Sequence, residues 1–144
     1  IEPALGALND LYSKYKYMET SFDKSRSVYK SKIPEISQSL ELIEMMIAKR
    51  DAEEEMITQY SLCDTIFANA KVNTASGKVC LWMGASTMVE FTYEEAVGML
   101  RAQLEQAEAK IAELNEDMQD LRSSSITVEV NMARLFNQNV KDKK

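Results

Sequence analysis

Two long heptad-patterned segments flank a stretch of about 35 residues that alternates like β-strand, residues 59–93. Heptads commit a chain to helices that bury a narrow apolar seam against a partner helix. Alternation commits it to strands that need neighbours. A helical hairpin needs only a few turn residues at its bend, so strands at that point raise the question of what they pair with.

The C-terminal segment carries the cleaner seam. Val97, Leu100, Leu104, Ala107, Ile111, Leu114, Met118, Leu121, Ser125, Val128, Met132 and Leu135 follow a strict three-then-four spacing. Thr92 with Glu95 three residues on makes a capping box at its start. The N-terminal segment shows the same rhythm through Leu8, Leu11, Tyr15, Met18, Phe22, Ser25 and Tyr29. It resumes out of step at Ile33, Ile36, Leu40, Ile43 and Ile47. That fault predicts one stutter. Pro34 beside it predicts a kink near 30–34 or two helical segments. The seam fades across Ala48, Ala52 and the Glu53-Glu54-Glu55 run.

Between the helices, Tyr60, Leu62, Ile66, Ala68, Ala70 and Val72 share one strand face. Asp64 marks a turn or bulge, residues 73–78 have turn chemistry, and Gly84-Ala85-Ser86 turns again. Val79-Cys80-Leu81-Trp82-Met83 is apolar on both faces, and Thr87 to Phe91, with Val89, forms a last strand. The expectation is a mainly α chain, a long antiparallel coiled-coil hairpin with two β-hairpins at the bend. Its parts are residues 1–58, 59–93 and 94–144. Isolated hairpins are marginal in water and their free edges template pairing. The strands are therefore expected to assemble the chain with others through Leu62, Ile66, Ala68, Val72, Val79, Leu81, Trp82, Met83, Val89 and Phe91.

Folding the helices back around the insert makes facing positions sum to about 151, setting Ser25 near Ser125. Leu8, Leu11, Tyr12, Tyr15 and Met18 then lie near Met132, Leu135, Phe136 and Val140 at the fraying tips. Charge is segregated as well. Residues 33–58 hold seven acids and two bases, and 94–121 hold eight and two. Residues 14–32 hold six bases and two acids, and 122–144 hold five and two. Either these are ordinary solvated faces, or the basic tip steers acidic, apolar partners, with Lys24, Arg26, Lys30 and Lys32 as its cations. The net charge of −6 argues against nucleic acid.

Much chemistry is missing. With no histidine, the commonest general base and zinc ligand are gone. The sequence has no phosphate-binding glycine loop, metal cluster or activated nucleophile. Glu94/Glu95 and Asp117/Asp120 read as solvated charges, Ser123-Ser124-Ser125 as a polar break in the seam. The expectation is no enzyme, no cofactor and no metal. No apolar run of 18 residues exists, so no membrane span is expected. Cys63 and Cys80 lack metal spacing and read as small buried hydrophobes of a reducing compartment rather than a disulfide. Trp82 reads as a buried strand residue. No signal-peptide pattern opens the chain, which starts at Ile1 rather than Met, as it would if a short leader were missing.

Helix, two hairpins, helix resembles an α-class prefoldin subunit. The segments carrying the likeness are Lys14-Tyr15-Lys16-Tyr17-Met18-Glu19, Ile33-Pro34-Glu35-Ile36, Lys78 to Ala85 and Glu129-Val130-Asn131-Met132-Ala133-Arg134. The resemblance covers nearly the whole chain and is similar to eukaryotic members that bind the von Hippel-Lindau protein. It implies a heterohexamer with one further α-class and four β-class subunits, capture of unfolded actin and tubulin without ATP, and delivery to the cytosolic chaperonin. It implies the cytoplasm, with the nucleus as a second compartment, and client contact through the tip residues named above. The competing reading is a coiled-coil scaffold or tether that binds no unfolded polypeptide.

Overall fold

The computed structural model describes residues 2–142. Helix α1 spans Glu2–Asp51 and α2 spans Tyr93–Asp142. Between them come β1 (Met56–Cys63), β2 (Ile66–Val72), a 3-10 turn at Thr74–Ser76, β3 (Lys78–Gly84) and β4 (Thr87–Thr92). The strands form two separate antiparallel hairpins, β1-β2 and β3-β4. The chain divides into two compact units: residues 1–32 with 107–144, and residues 33–106.

In the second unit the chain reverses earlier than the sequence pattern predicts. Helix α1 ends at Asp51 rather than running on to 58. Glu53 takes a left-handed φ of 54°. Its N–H bonds to the Arg50 carbonyl, and the Glu54 N–H bonds to that of Lys49. This pair of bonds is a Schellman closure, with Glu in the place usually given to Gly. The Glu53-Glu54-Glu55 run sets negative charge at the C-terminal end of the helix dipole, which disfavours continuing the helix, and β-branched Ile57 and Thr58 favour the strand that follows. Helix α2 starts where expected. The Thr92 N–H bonds to Glu95 Oε2 at 3.0 Å and the Glu95 N–H returns to Thr92 Oγ1 at 3.3 Å.

The core of this unit is Ile43, Tyr93, Ala96 and Leu100, packed by Ile36, Leu40, Ile47 and Val97 from the helices and Val79, Leu81 and Phe91 from the second hairpin. Tyr93 is fully buried. Its hydroxyl donates to the Thr74 carbonyl at 3.0 Å, and its N–H bonds to the Gly77 carbonyl at 3.1 Å. The Arg50 guanidinium lies 5.3 Å from its ring centroid. One side chain thus joins the helix ends to the link between the hairpins. Arg101 with Glu44 (2.8 Å) and Arg50 with Glu94 (3.7 Å) bridge the antiparallel helices outside the core.

Register within each hairpin follows the turns. Pairing of β1 with β2 shifts between Ser61 and Cys63, next to the turn at Asp64 and Thr65. Pairing of β3 with β4 shifts between Trp82 and Gly84. The turn that follows uses Ala85 (φ 49°) and Ser86 (φ 57°), the two positive φ values a type I′ hairpin requires.

In the first unit three interhelical bonds recur at heptad spacing: Tyr12 to Glu129, Glu19 to Arg122 at 3.0 Å, and Arg26 to Asn115 at 3.1 Å. Numbers rise on α1 as they fall on α2, so the helices run antiparallel, and each pair sums to 141. Ser25 is exposed while Ser125 is buried, so these two do not meet as the sum of 151 predicts. Helix α2 buries its expected seam, with Ala107, Leu114, Met118, Leu121, Ser125 and Val128 covered.

The α1 seam differs from the apolar reading. Its shielded positions are 5, 8, 11, 12, 15, 19, 22, 26 and 29, all but 11 in one three-four rhythm, and Met18 and Ser25 are exposed. Positions 33, 36, 40, 43, 47 and 50 continue the same phase. The predicted stutter is therefore absent. It arose from choosing Met18 and Ser25 over the charged seam residues Glu19 and Arg26. The helical assignment passes unbroken through Pro34, which is exposed and gives the Lys30 carbonyl no N–H.

Two outcomes follow for stability. Glu53→Gly and Ser86→Gly each remove a left-handed side-chain penalty, and each should gain about 1 kcal/mol in urea unfolding. An unchanged or lowered midpoint would show those φ values to be unstrained. Lys16 and Arg122 hold the Glu19 carboxyl below its usual range, and the Thr92 N–H and hydroxyl do so for Glu95. Both folded values are depressed. Their contribution is full above the unfolded carboxylate range, near pH 4.3, and is lost as pH falls through the folded values. The helical circular dichroism signal should hold to about pH 5 and decline below about 4, and Glu95→Gln should flatten part of that decline.

Candidate functional site

In the first unit the ends of the two helices enclose an open groove of about 550 Å³, lined by Glu2, Leu5, Gly6, Asn9, Met132, Ala133, Phe136 and Asn137. Leu5 and Phe136 continue the ladder by one more heptad, again summing to 141, but with apolar groups in place of polar ones. Phe136 and Val140 are well exposed, Met18 less so, while Leu8, Leu11, Tyr12, Tyr15, Met132 and Leu135 are half-buried. Met132 and Phe136 line this groove with Leu5 rather than with the expected Leu8, Leu11, Tyr12, Tyr15 or Met18, and Met18 is exposed. Leu5 lies one residue off the phase read through Leu8 and Leu11. The correct phase, 5-8-12, would have found it.

The four expected basic residues are not equivalent. Arg26 is bonded to both Asp23 and Asn115 and belongs to the helix interface. Lys32 lies 5.9 Å from the Tyr29 ring centroid. Lys24 and Lys30 are exposed. Of the four expected cations, Arg26 is thus engaged in the helix interface, while Lys24, Lys30 and Lys32 are exposed.

The second surface lies on the hairpins of the other unit. In the second hairpin, Val79, Leu81 and Phe91 turn toward the helix cluster, and Val89 pairs with Leu81 at partial exposure. The opposite face presents Trp82 across from Met88, 64% and 59% exposed, with Met83 also open. Trp82 is thus not buried within the chain, because the helices cover only one face of this hairpin. Lys78 and Glu90 pair at 2.6 Å on the open face. In the first hairpin Ala68, Ala70 and Val72 are half-buried, while Ile57, Tyr60, Leu62, Ile66 and Phe67 are more than half exposed or close to it. Both cysteines are free and exposed, which corrects their reading as buried hydrophobes. Cys80 shares the open face with Trp82. Cys63 sits by the first turn, where the Thr65 N–H holds its thiol below the usual value.

Among the described residues no group of three His, Cys, Asp or Glu is placed to hold a metal ion. No described helix is long and apolar enough to cross a membrane. Among the described residues, the arrangement offers exposed apolar surface at the helix ends and on the hairpins.

Known proteins share this organisation. The family described as Prefoldin subunit matches residues 15–138. Prefoldin subunit 3 of Mus musculus and of Homo sapiens is 38% identical over 140 residues, covering 97% of this chain and 71% of theirs. A probable prefoldin subunit 3 of Schizosaccharomyces pombe is 37% identical over 143 residues, covering 97% of this chain and 83% of its own. The fold is similar to that of filamentous PFD from Methanocaldococcus jannaschii, with a TM-score of 0.65 at 15% identity over 85% of this chain and 98% of that one. On sequence and on fold, this chain belongs to the prefoldin subunit family.

Proposed function

We propose that the chain is an α-class subunit of a cytoplasmic heterohexameric prefoldin, with one further α-class and four β-class partners. In this reading the complex captures unfolded actin and tubulin without ATP and passes them to the cytosolic chaperonin. A von Hippel-Lindau contact is a further partner carried by the family resemblance alone. The observation that carries the capture is the groove between the helix ends, where Leu5, Met132 and Phe136 offer apolar surface to solvent. Burying apolar surface is worth about 25 cal/mol per Å², so a few such side chains give weak, reversible holding without a bound nucleotide. Lys24, Lys30 and Lys32 add attraction for acidic clients.

Met132→Asp with Phe136→Asp should weaken holding of unfolded actin roughly tenfold to a hundredfold, measured as suppression of its aggregation, with helical content unchanged. Holding should also fall with salt, and fall less in a variant with Lys24, Lys30 and Lys32 changed to Glu. Wild-type holding from the altered groove would remove it as the client site, and salt-independent holding would remove the electrostatic contribution.

Assembly is read from the open face of the second hairpin. Val79 and Leu81 pack inward, so a charge there would injure the unit's own core. Trp82→Asp with Met88→Lys is the sharper test. It should leave the chain helical and monomeric by light scattering when mixed with its partner subunits. A full hexamer from that mixture would show that another surface drives assembly. The scaffold reading instead predicts a stable homodimer of the wild-type chain alone and no protection of unfolded actin.

A further inference from the structure

An apolar seam is enough to pair two helices, yet the first unit spends three successive heptads of its α1 seam on Tyr12, Glu19 and Arg26. Each bonds across to α2, on Glu129, Arg122 and Asn115. Polar residues at seam positions lower the stability of a coiled coil and are kept where they govern pairing. These are well shielded, with 22% of the Glu19 side chain and 27% of that of Arg26 exposed. Each is also gripped from two sides. Glu19 takes Lys16 at 3.0 Å in addition to Arg122, and Arg26 takes Asp23 in addition to Asn115. In the second unit the equivalent heptad positions on α1 hold Ile33, Leu40 and Ile47, all apolar. The two units therefore differ at these positions. The second relies on burial alone, while the first carries one opposite-charge pair, Glu19 with Arg122, and two hydrogen bonds in which one partner is charged, Tyr12 with Glu129 and Arg26 with Asn115.

We infer that the ladder is an electrostatic latch. It holds residues 8–29 of α1 against 111–132 of α2 while its rungs are complementary. When the rungs fail, the helices part and bare Tyr15, Phe22, Met118 and Leu121, a strip of apolar side chains that the closed state covers. This latch is separate from the groove at the helix ends, which is open with the ladder intact. The closed ladder gives one face of the seam to salt-sensitive bonds, so opening is set by ionic strength rather than by the apolar residues.

Hydrogen exchange read by mass spectrometry on the full chain tests this. Asn115→Lys with Arg122→Glu sets like charges against Arg26 and Glu19. Exchange across residues 12–29 should then accelerate roughly tenfold at low salt, while residues 36–47 change by less than about twofold. Salt must act with opposite sign on the two proteins. Raising it toward about 1 M, where the screening length is about 3 Å, should speed exchange in the wild-type segment and slow it in the variant. Adding Glu19→Arg and Arg26→Glu, together with Lys16→Glu and Asp23→Lys so that the neighbours on α1 stay complementary, restores opposite charges and should recover most of the protection. Wild-type exchange in the first variant would show that the apolar seam alone closes this unit. Failure of the charge-swapped variant to recover, or salt acting alike on both, would show that the effect is not charge complementarity. Each of those results overturns the latch.

Discussion

The hydroxyl of Tyr93 on the Thr74 carbonyl fixes where the chain turns back, and most of the structure depends on that point. Tyr93 is the first residue of α2, fully buried, with the Arg50 guanidinium against its ring. Its N–H is satisfied by the Gly77 carbonyl. The start of one helix, the end of the other and the link between hairpins therefore meet on a single side chain. A buried aromatic ring of this size is worth about 3–5 kcal/mol against truncation, and the hydrogen bond of its hydroxyl about 1 more. The same Thr74 carbonyl also accepts the Gly77 N–H at 3.3 Å, so the turn and the tyrosine close on one oxygen.

Alternation showed the hairpins and where they turn, because a two-residue period needs no knowledge of partners. It could not show which face the chain covers for itself. Val79, Leu81 and Phe91 reach the helices, and Trp82, Met88 and Cys80 do not. A run apolar on both faces requires two coverings, and one chain supplies one. The misreading of Trp82 and Cys80 has this single origin: burial was inferred from residue type, while the chain's own helices cover one face of the second hairpin. Ile57, Phe67, Leu62 and Ile66 on the first hairpin carry the same demand further, since the buried cluster draws on β3 and β4 but, among the described residues, on neither β1 nor β2.

The C-terminal seam was legible from Leu100 onward because its inward positions there are apolar except Ser125; Tyr93 and Ala96, both fully buried, fall outside that reading. The N-terminal seam was misread at the two positions where charge replaces hydrophobicity. Met18 and Ser25 are neighbours of Glu19 and Arg26, so an apolar count steps onto the wrong residue and must invent a stutter to return to phase. A period held from 5 to 50 with three charged members, Glu19, Arg26 and Arg50, explains the shielding better than an apolar period with a fault. The client groove suffered in the same way, since Leu5 belongs to the phase that Glu19 and Arg26 define.

Charge also excludes a neighbouring register. Within the first unit, sliding one helix past the other by a heptad would make facing positions sum to 148 instead of 141. The seam would still match apolar to apolar, so hydrophobicity alone cannot tell the two registers apart. Charge can. The slide sets Glu19 against Glu129 and Arg26 against Arg122, like on like, and Tyr12 against Phe136 with no acceptor for its hydroxyl. In the register observed, the same column reads Tyr12 with Glu129, Glu19 with Arg122 and Arg26 with Asn115, every rung satisfied. Like charges facing each other across a seam penalise the wrong pairing more than opposite charges favour the right one, because the desolvated groups are then left without partners. The charged positions that hid the seam from an apolar reading are therefore the ones that decide how the helices align.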